Sequence, residues 1–412
     1  HIKRWLALIL IGVIFMALGI AYLLKEAYVV ITFPEWVSTF TLQWLPRWIR
    51  GLLFMSFATF ITIFGAWKLN QSVIRTLLPD VKHDKVLDSI YETQTLKVGP
   101  KIAVIGGGTG MSMLLRGLKN YTSNLTAIIT VADDGGSSGR LRKDLNILPP
   151  GDIRACISAL ASAEPLMTEL FEYRFETKNE ELSGHSLGNL LIAGMAEVTG
   201  SMENGIEAIS KVLDVKGRIL PATLEDINIS ADLDNGKSIE GESNIGNQNE
   251  PIKQLSIEPA NPTAYQEAVQ AIEEADAVII GPGSLFTSII PNLLIPGIIE
   301  ALHNTKGIKV FITNVATQLA ETNSFSAFDH FQALCHHIED DQLIDIVLVN
   351  NEFTTIPLPE KFKAEPVLID IDNFPNNVKI IQTKLVNEEN RYHHDSILLA
   401  KTIIDVIYNN SN

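Results

Sequence analysis

Cysteine is nearly absent from this chain: Cys156 and Cys335 are the only two in 412 residues. Neither stands in a CxxC spacing, which excludes a disulfide framework and suits a reducing compartment for the main domain. Basic charge is also scarce, with 32 Lys and Arg against 48 Asp and Glu and a net charge of −16. The shortfall is uneven. Ten Lys/Arg face six Asp/Glu in residues 1–100 (+4), whereas 22 face 42 in residues 101–412 (−20). An acidic main part lacks the electrostatic footprint of a DNA- or RNA-binding protein, so no nucleic-acid partner is expected. No repeat or low-complexity tract stands out, no Ser-His-Asp order emerges, and no His/Cys spacing suits a metal.

Long uncharged runs do occur, but only in the N-terminal hundred residues. Trp5 to Leu24 carries no charge and is bracketed by Lys3-Arg4 and Lys25; Ile49 to Trp67 is apolar apart from Arg50. About 20 apolar residues span a bilayer, so two transmembrane helices are expected, at about 5–24 and 49–67, forming an anchor over residues 1–68. A cleaved signal peptide is the competing reading of the first run, which is long for a signal core and is followed by a second span. Trp36, Trp44 and Trp48 suit a membrane–water interface, and the Lys/Arg bias places both ends of the anchor in the cytoplasm. The expected protein is therefore a multi-pass cell-membrane protein whose main domain is cytoplasmic. Residues 69–99 read as a juxtamembrane linker, partly helical.

From residue 101 onward, apolar strand-like runs alternate with helical patterns. Strands are expected at 102–105, 125–131, 276–280, 308–315, 344–351, 367–372 and 379–386. Helices are expected near 152–173, 185–199, 203–213, 262–275 and 394–409, with an extended region at 218–258 that carries a loop or hairpin insertion at 239–250. This alternation predicts an α/β fold, Rossmann-like, with a mostly parallel sheet and helices on both faces.

The first strand runs into Gly106-Gly107-Gly108-Thr109-Gly110. Glycines there let several N–H groups point at one spot, and the following helix adds its positive end, so the spot favours an anion, most often phosphate. A plain βα turn without a ligand is the bland alternative. The position where a dinucleotide fingerprint would place its third glycine is Met111, and no lysine lies between Lys101 and Lys119. A standard NAD site and a P-loop ATPase are thus both poorly supported. A second glycine turn, Gly281-Pro282-Gly283-Ser284-Leu285-Phe286-Thr287-Ser288, also follows a buried strand, and Ser284, Thr287 and Ser288 could donate hydroxyls to the same ligand. A parallel sheet puts both turns at one carboxyl edge, which points to a joint phosphate or diphosphate site.

Three further segments carry polar chemistry. In Asp133-Asp134-Gly135-Gly136-Ser137-Ser138-Gly139-Arg140, one aspartate could hold a ribose hydroxyl or a magnesium ion and the other cap the turn. Arg140 and Arg142 could meet phosphate, although Arg142 reads equally as a solvated helix residue. In LPPGDIR, Asp152 is placed like an N-cap; Arg154, in an unfavourable first-turn position, calls for a carboxylate or a ligand anion. In GHSLGN, His185 is a general base or, more simply, a hydrogen-bonding structural residue, and Asn189 shares its helix face. The adjacent pairs His336-His337 and His393-His394 read as surface residues.

Taken in order, GGGTG, TVADDGGSSGRLR, LPPGDIR, GHSLGN, GRILPATL and GPGSLFTSIIPNLLIPGI closely resemble the gluconeogenesis factor family (YvcK-type) of the CofD-like superfamily, which also holds 2-phospho-L-lactate transferase. The resemblance covers about residues 101–335. It thins at TNVATQLAET (313–322), where Leu319-Ala320 replaces an expected Pro-Gly. It implies a Rossmann-like cytosolic domain that binds UDP-sugars and supports cell shape or envelope synthesis during gluconeogenic growth. Binding rather than catalysis is then the expected output, with a homo-oligomer and a protein partner in envelope synthesis. Carried over by position, the pocket is lined by Gly107, Gly108, Thr109, Gly110, Asp133, Ser137, Arg140, Asn189, Gly283, Ser284 and Thr287. Asp134, Ser138, Arg154, His185 and Ser288 are added from the residue patterns above. The transferase branch implies instead a magnesium-dependent transfer of a phospholactyl-type group from a nucleotide diphosphate donor, its metal held by Asp133 or Asp134.

Overall fold

Apolar runs rich in Ile, Val and Ala build strands whose central members are buried on both faces, as a parallel sheet requires, while the edge strand Lys379–Thr383 (KIIQT) stays partly exposed. Seven of them pair in the order β10-β9-β8-β7-β1-β2-β3, every neighbour parallel. They are β1 (Ile102–Gly106), β2 (Leu125–Ile129), β3 (Arg218–Pro221), β7 (Ala277–Ile280), β8 (Ile308–Ile312), β9 (Ile346–Asn350) and β10 (Lys379–Thr383). A computed structural model describes residues 35–42, 44–77, 95–162, 165–177, 182–248, 250–352 and 364–410, with a few positions between 13 and 25. The chain divides into two units, His1–Ser89 and Ile90–Asn412.

In the first unit, the helix α1 (Arg47–Leu77) is 31 residues long. Its stretch Arg47–Gly65 is long and apolar enough to cross a bilayer, and none of it is buried. At 1.5 Å per residue those 19 residues rise about 28 Å, close to the ~30 Å of a hydrocarbon core. Thr59 and Thr62 return their hydroxyls to the carbonyls of Met55 and Ala58, as polar side chains do on an apolar helix. The helix begins two residues before the expected span and continues into the expected linker. The other expected span, 5–24, lies largely outside the described residues.

In the second unit, β1 sits at the centre, flanked by β2 and β7, and all five of its residues are buried. The chain moves outward from β1 through β2 to β3, and then returns to lay β7 on the other side of β1. The order therefore reverses between β1 and β7, a topological switch point, where open α/β sheets bind ligands beyond the strand ends. Helix α2 (Gly108–Leu118) packs against α4 (Pro150–Leu160) and the C-terminal α7 (Ser396–Asn410). Gly117 permits that approach, since a Cβ there would collide with the Ser396 carbonyl. Helices α3 (Gly136–Leu145), α5 (Leu187–Thr199) and α6 (Ala327–Ile338) complete the set used below. Between β3 and β7 the chain inserts a three-stranded antiparallel sheet, β5-β4-β6, from β4 (Asn228–Leu233), β5 (Ser238–Glu240) and β6 (Ile252–Glu258).

Several expectations need correcting. The helix expected at 152–173 is two helices, because the chain leaves helical geometry at Ala161 and restarts at Pro165, whose ring and missing N–H suit a first helical position. The strand expected at 367–372 does not form. Asp370 is drawn off to cap α6, accepting from Ser326 Oγ at 2.7 Å and Phe328 N–H at 3.0 Å. The insertion at 239–250 holds a one-turn helix, Glu242–Ile245, between β5 and β6. His337 and His394 are buried. Adjacent residues on a helix point about 100° apart, so one of the His336-His337 pair on α6 faces inward, whereas His394 precedes α7 and is buried by a β-bridge to Val386. His337 Nε2 accepts the Leu255 N–H at 2.9 Å, which leaves Nδ1–H to donate to Ala333 O.

Burial also holds His330 and His394 neutral, each with its pKa lowered to about 4. In the unfolded chain they protonate near pH 6.5, so the stabilisation from keeping them neutral is complete above that pH and is lost as pH falls toward 4. Thermal denaturation is expected to show a falling Tm across that window, and His330→Leu to reduce proton uptake on unfolding by about one proton. An unaltered pH slope in His330→Leu would contradict this assignment.

Candidate functional site

The first glycine turn is shaped by contacts that leave no room for side chains. Gly107 is fully extended, and a Cβ on it would run into the Asp152 carboxylate and Thr130. Gly108 takes a left-handed φ of +63°, which glycine adopts without strain. A Cβ on Gly110 would lie 2.6 Å from the carbonyl oxygen of Pro282. The two glycine turns are thus packed backbone against backbone across the switch point. Met111, where a fingerprint glycine would stand, is wholly buried with its sulfur 3.5 Å from Cys156 Sγ.

The second turn is held from three sides. Asn292, wholly buried, donates Nδ2 to Gly106 O at 3.1 Å and Ser288 O at 2.8 Å, tying the end of β1 to the second turn. Asn314 donates to Gly283 O at 3.0 Å and Gln318 Nε2 to Ser284 Oγ at 2.7 Å. Buried Glu321 accepts the Phe286 N–H and the Thr287 hydroxyl, both at 2.9 Å. The segment 313–322, where the family resemblance thins, is therefore the brace of this turn.

A cavity of about 930 Å³ opens between these elements. Gly107–Gly110, Pro282–Ser284 and Ser288 line it, together with Asn314–Leu319 and the loop Glu388–His394 that precedes α7. Its size suits a nucleotide-sized ligand. Arg391 is the only Lys or Arg among the lining residues. Sequence reasoning missed Asn292, Asn314, Gln318, Glu321 and the 388–394 loop. Asn292 did carry a signal, as a lone amide inside the apolar run IIPNLLI; Asn314, Gln318 and the 388–394 loop reach the cavity, and Glu321 the second turn, from distant positions without a local pattern.

The remaining expected residues gather beyond the end of β2, outside the residues that line the cavity. Asp134 accepts from Ser243 N at 2.8 Å and Ser243 Oγ at 2.6 Å, fastening the one-turn helix of the insertion. Asp133 Oδ1 accepts the Gly135 N–H at 2.9 Å. Ser137, His185 and Asn189 form one buried network. Asn189 Nδ2 donates to Ser137 Oγ at 3.0 Å, and Ser137 lies 2.9 Å from His185 Nδ1. Burial, then the positive charge of Arg140, lowers the His185 pKa, so the neutral ring accepts the Ser137 proton. Arg140 donates to Ser183 O, and Arg154 pairs with Glu172, the carboxylate alternative of the sequence reading. Ser138 is buried against Gly151. Arg142 is a buried clamp, joining Asp226, Ile227 O and Asn228 to the carbonyls of Ala132 and Asp133.

Negative charge accumulates around the first turn. The Asp152 residue keeps a partly exposed face, but its carboxyl is enclosed against Gly107 and Gly108 and takes the Gly108 N–H. Burial, with Asp133 nearby, pushes its pKa up to about 7. Burial and then Asp133, Asp134 and Asp152 push Glu242 to about 8. Magnesium was expected at Asp133 or Asp134. The residues do not form a ready site for it, because Asp134 is spent on Ser243 and no group of three His, Cys, Asp or Glu among the described residues is placed to hold a metal.

Comparison with known proteins places these elements in context. A family model described as 2-phospho-L-lactate transferase CofD matches residues 102–386. A gluconeogenesis factor from Bacillus subtilis is 44% identical over 313 residues, which is 75% of this chain and 98% of that one. A relative from Clostridium acetobutylicum is 42% identical over 417 residues, 98% of this chain and 90% of its own. The crystal structure of a UPF0052 family member from Bacillus halodurans, 44% identical, superposes with a TM-score of 0.69, covering 74% of this chain and 99% of that one.

The crowded carboxylates give a stability signature. Glu242 ionises near pH 4.5 when unfolded and near 8 when folded, so its cost grows as pH rises between these values. Glu242→Gln is expected to raise the Tm by about 3 °C at pH 9 and to leave it unchanged at pH 5. Equal shifts at both values would show that the side chain acts through packing.

Proposed function

The chain belongs to the CofD family, among its gluconeogenesis factors, and on that premise we propose that it is a membrane-tethered UDP-sugar-binding regulator. The observation that carries this reading is the convergence of both glycine turns on one cavity at the switch point. The diphosphate lies on the N–H groups of Thr109 and Gly110 at the positive end of α2, and Arg391 adds a cation. Asp152 already takes the Gly108 N–H, so the phosphates rest on the donors that follow. The uridine and sugar assignments come from family membership. Support for cell shape and envelope synthesis under gluconeogenic growth has the same source, as do the expected homo-oligomer and protein partner.

Binding rather than turnover is favoured by what lines the cavity. Ser284 is committed to Gln318, and buried His394 donates Nε2–H to Thr313 O at 3.1 Å, so neither forms a nucleophile–base pair. The apolar stretch Arg47–Gly65 supplies the tether. The transferase reading retains one argument, the family model that matches residues 102–386, which is described as 2-phospho-L-lactate transferase.

A thermal-shift panel on the full chain separates the readings. UDP-glucose and UDP-N-acetylglucosamine are expected to stabilise the protein, by about 2.7 kcal/mol at a hundredfold excess over Kd, without magnesium. A shift given only by guanine nucleotides with magnesium would favour the transferase, and silence from every uridine nucleotide would sink the regulator. Arg391→Ala is expected to weaken UDP-glucose binding about tenfold and to flatten its salt dependence, the loss of one charge-assisted contact. An unchanged Kd would remove Arg391 from the phosphate site.

A further inference from the structure

By composition α5 is a core helix: LGNLLIAGMAEVT carries a single charge, Glu197. A helix that is apolar on all sides is ordinarily enclosed. The fold nevertheless leaves one side of α5 in solvent. Val198 is 83% exposed, Leu191 and Gly194 are exposed, and Leu187 is half-buried. A Cβ on Gly194 would meet nothing within 4 Å. Glycine weakens a helix relative to alanine, and no contact among the described residues requires it at this position. The preceding helix, Pro165–Glu172, has the same character. Leu166 is 74% exposed, Leu170 is exposed, and so is Tyr173 just past the helix end. The two helices pack together, with the Leu187 N–H donating to Tyr173 O at 2.8 Å.

Spacing and charge define what fits this face. Leu187, Leu191, Gly194 and Val198 follow one another at intervals of four, three and four, and Leu166, Leu170 and Tyr173 at four and three. That alternation is the seam by which one helix receives the side chains of another. Gly194 stands within the seam, where bare backbone lets a second helix come close. Glu169, Glu172, Glu176 and Glu197 are exposed around the stripes. Arg174 is the only Lys or Arg in residues 165–177 and 187–199, and it is turned to Gly184 O. An acidic rim repels anionic lipid headgroups. It also disfavours a second copy, since a crossing at Gly194 would bring two Glu197 side chains together. It attracts Lys and Arg.

We infer that α5 and the helix Pro165–Glu172 form a docking face for an amphipathic helix of a protein partner, one that sets Lys or Arg beside an apolar stripe. None of these residues lines the cavity, so the inference stands whichever ligand the cavity takes.

Amide hydrogen exchange on the full chain, held in nanodiscs of zwitterionic lipid, tests this with two synthetic helical peptides. Both carry leucine along one face; the remaining positions are lysine in one peptide and glutamate in the other. The lysine peptide is expected to slow exchange in residues 165–173 and 187–199, and the glutamate peptide to leave both segments unchanged. Gly194→Leu fills open space in the free protein, so it is expected to keep or raise the Tm while weakening the lysine peptide about tenfold. A general loss of structure would instead lower the Tm. The double variant Leu166→Ser, Val198→Ser removes exposed side chains and is expected to weaken the peptide by about the same factor with the Tm unchanged. Equal protection by both peptides overturns the basic partner. No protection by either, or wild-type affinity in both variants, overturns the face itself. Protection that grows with protein concentration alone, or on adding phosphatidylglycerol vesicles, gives the face to a second copy or to lipid and overturns the partner helix.

Discussion

The contact between two glycine turns governs this structure. β1 and β7 are neighbours, and beyond their ends Gly110 and Pro282 meet backbone to backbone, with less space than one methyl group needs. That closeness brings two runs separated by some 170 residues of chain into a single cavity wall, and Asn292 locks the arrangement by bridging Gly106 and Ser288. A bulkier residue at either turn would push the strand ends apart and remove the cavity between them. The hydrophobic sheet beneath supplies rigidity: β1 and β7 are buried along their whole length, so the turns rest on a fixed base.

A second principle organises the polar groups. Each glycine turn has a carboxylate of its own, Asp152 at the first and Glu321 at the second. Internal acids at such positions satisfy backbone N–H groups that a folded chain cannot leave bare. They also narrow what the site accepts, since donors already in use are closed to a ligand. The cost is electrostatic. Asp133, Asp152 and Glu242 crowd one another at the edge of the sheet, and burial deepens the penalty. Stability given up near a binding cleft in exchange for a preset arrangement of donors and acceptors is a familiar compromise.

The insertion β4–β6 belongs to this account. Ser243 holds Asp134, Arg142 reaches from α3 to Asp226 and Asn228, and Gln248 donates to Ala320 O at 2.8 Å. One short antiparallel sheet thus braces both the β2 loop and the 313–322 segment. In the sequence alone, residues 239–250 read as a loop or hairpin insertion, with nothing to show what they brace.

Sequence by itself determined the parallel α/β sheet, because buried strands must be continuous apolar runs and such runs alternate with helical patterns. It also marked both glycine turns, since only glycine permits that backbone geometry, and local composition records the requirement. Tertiary structure decided how the polar residues are used. Ser137 and Asn189 bond to each other, Arg154 meets Glu172, Thr287 turns to Glu321, and His337 and His394 go inside. A hydroxyl or an imidazole has the same letter whether it faces a ligand or the protein. Its partner comes from a distant part of the chain, and only folding chooses between them.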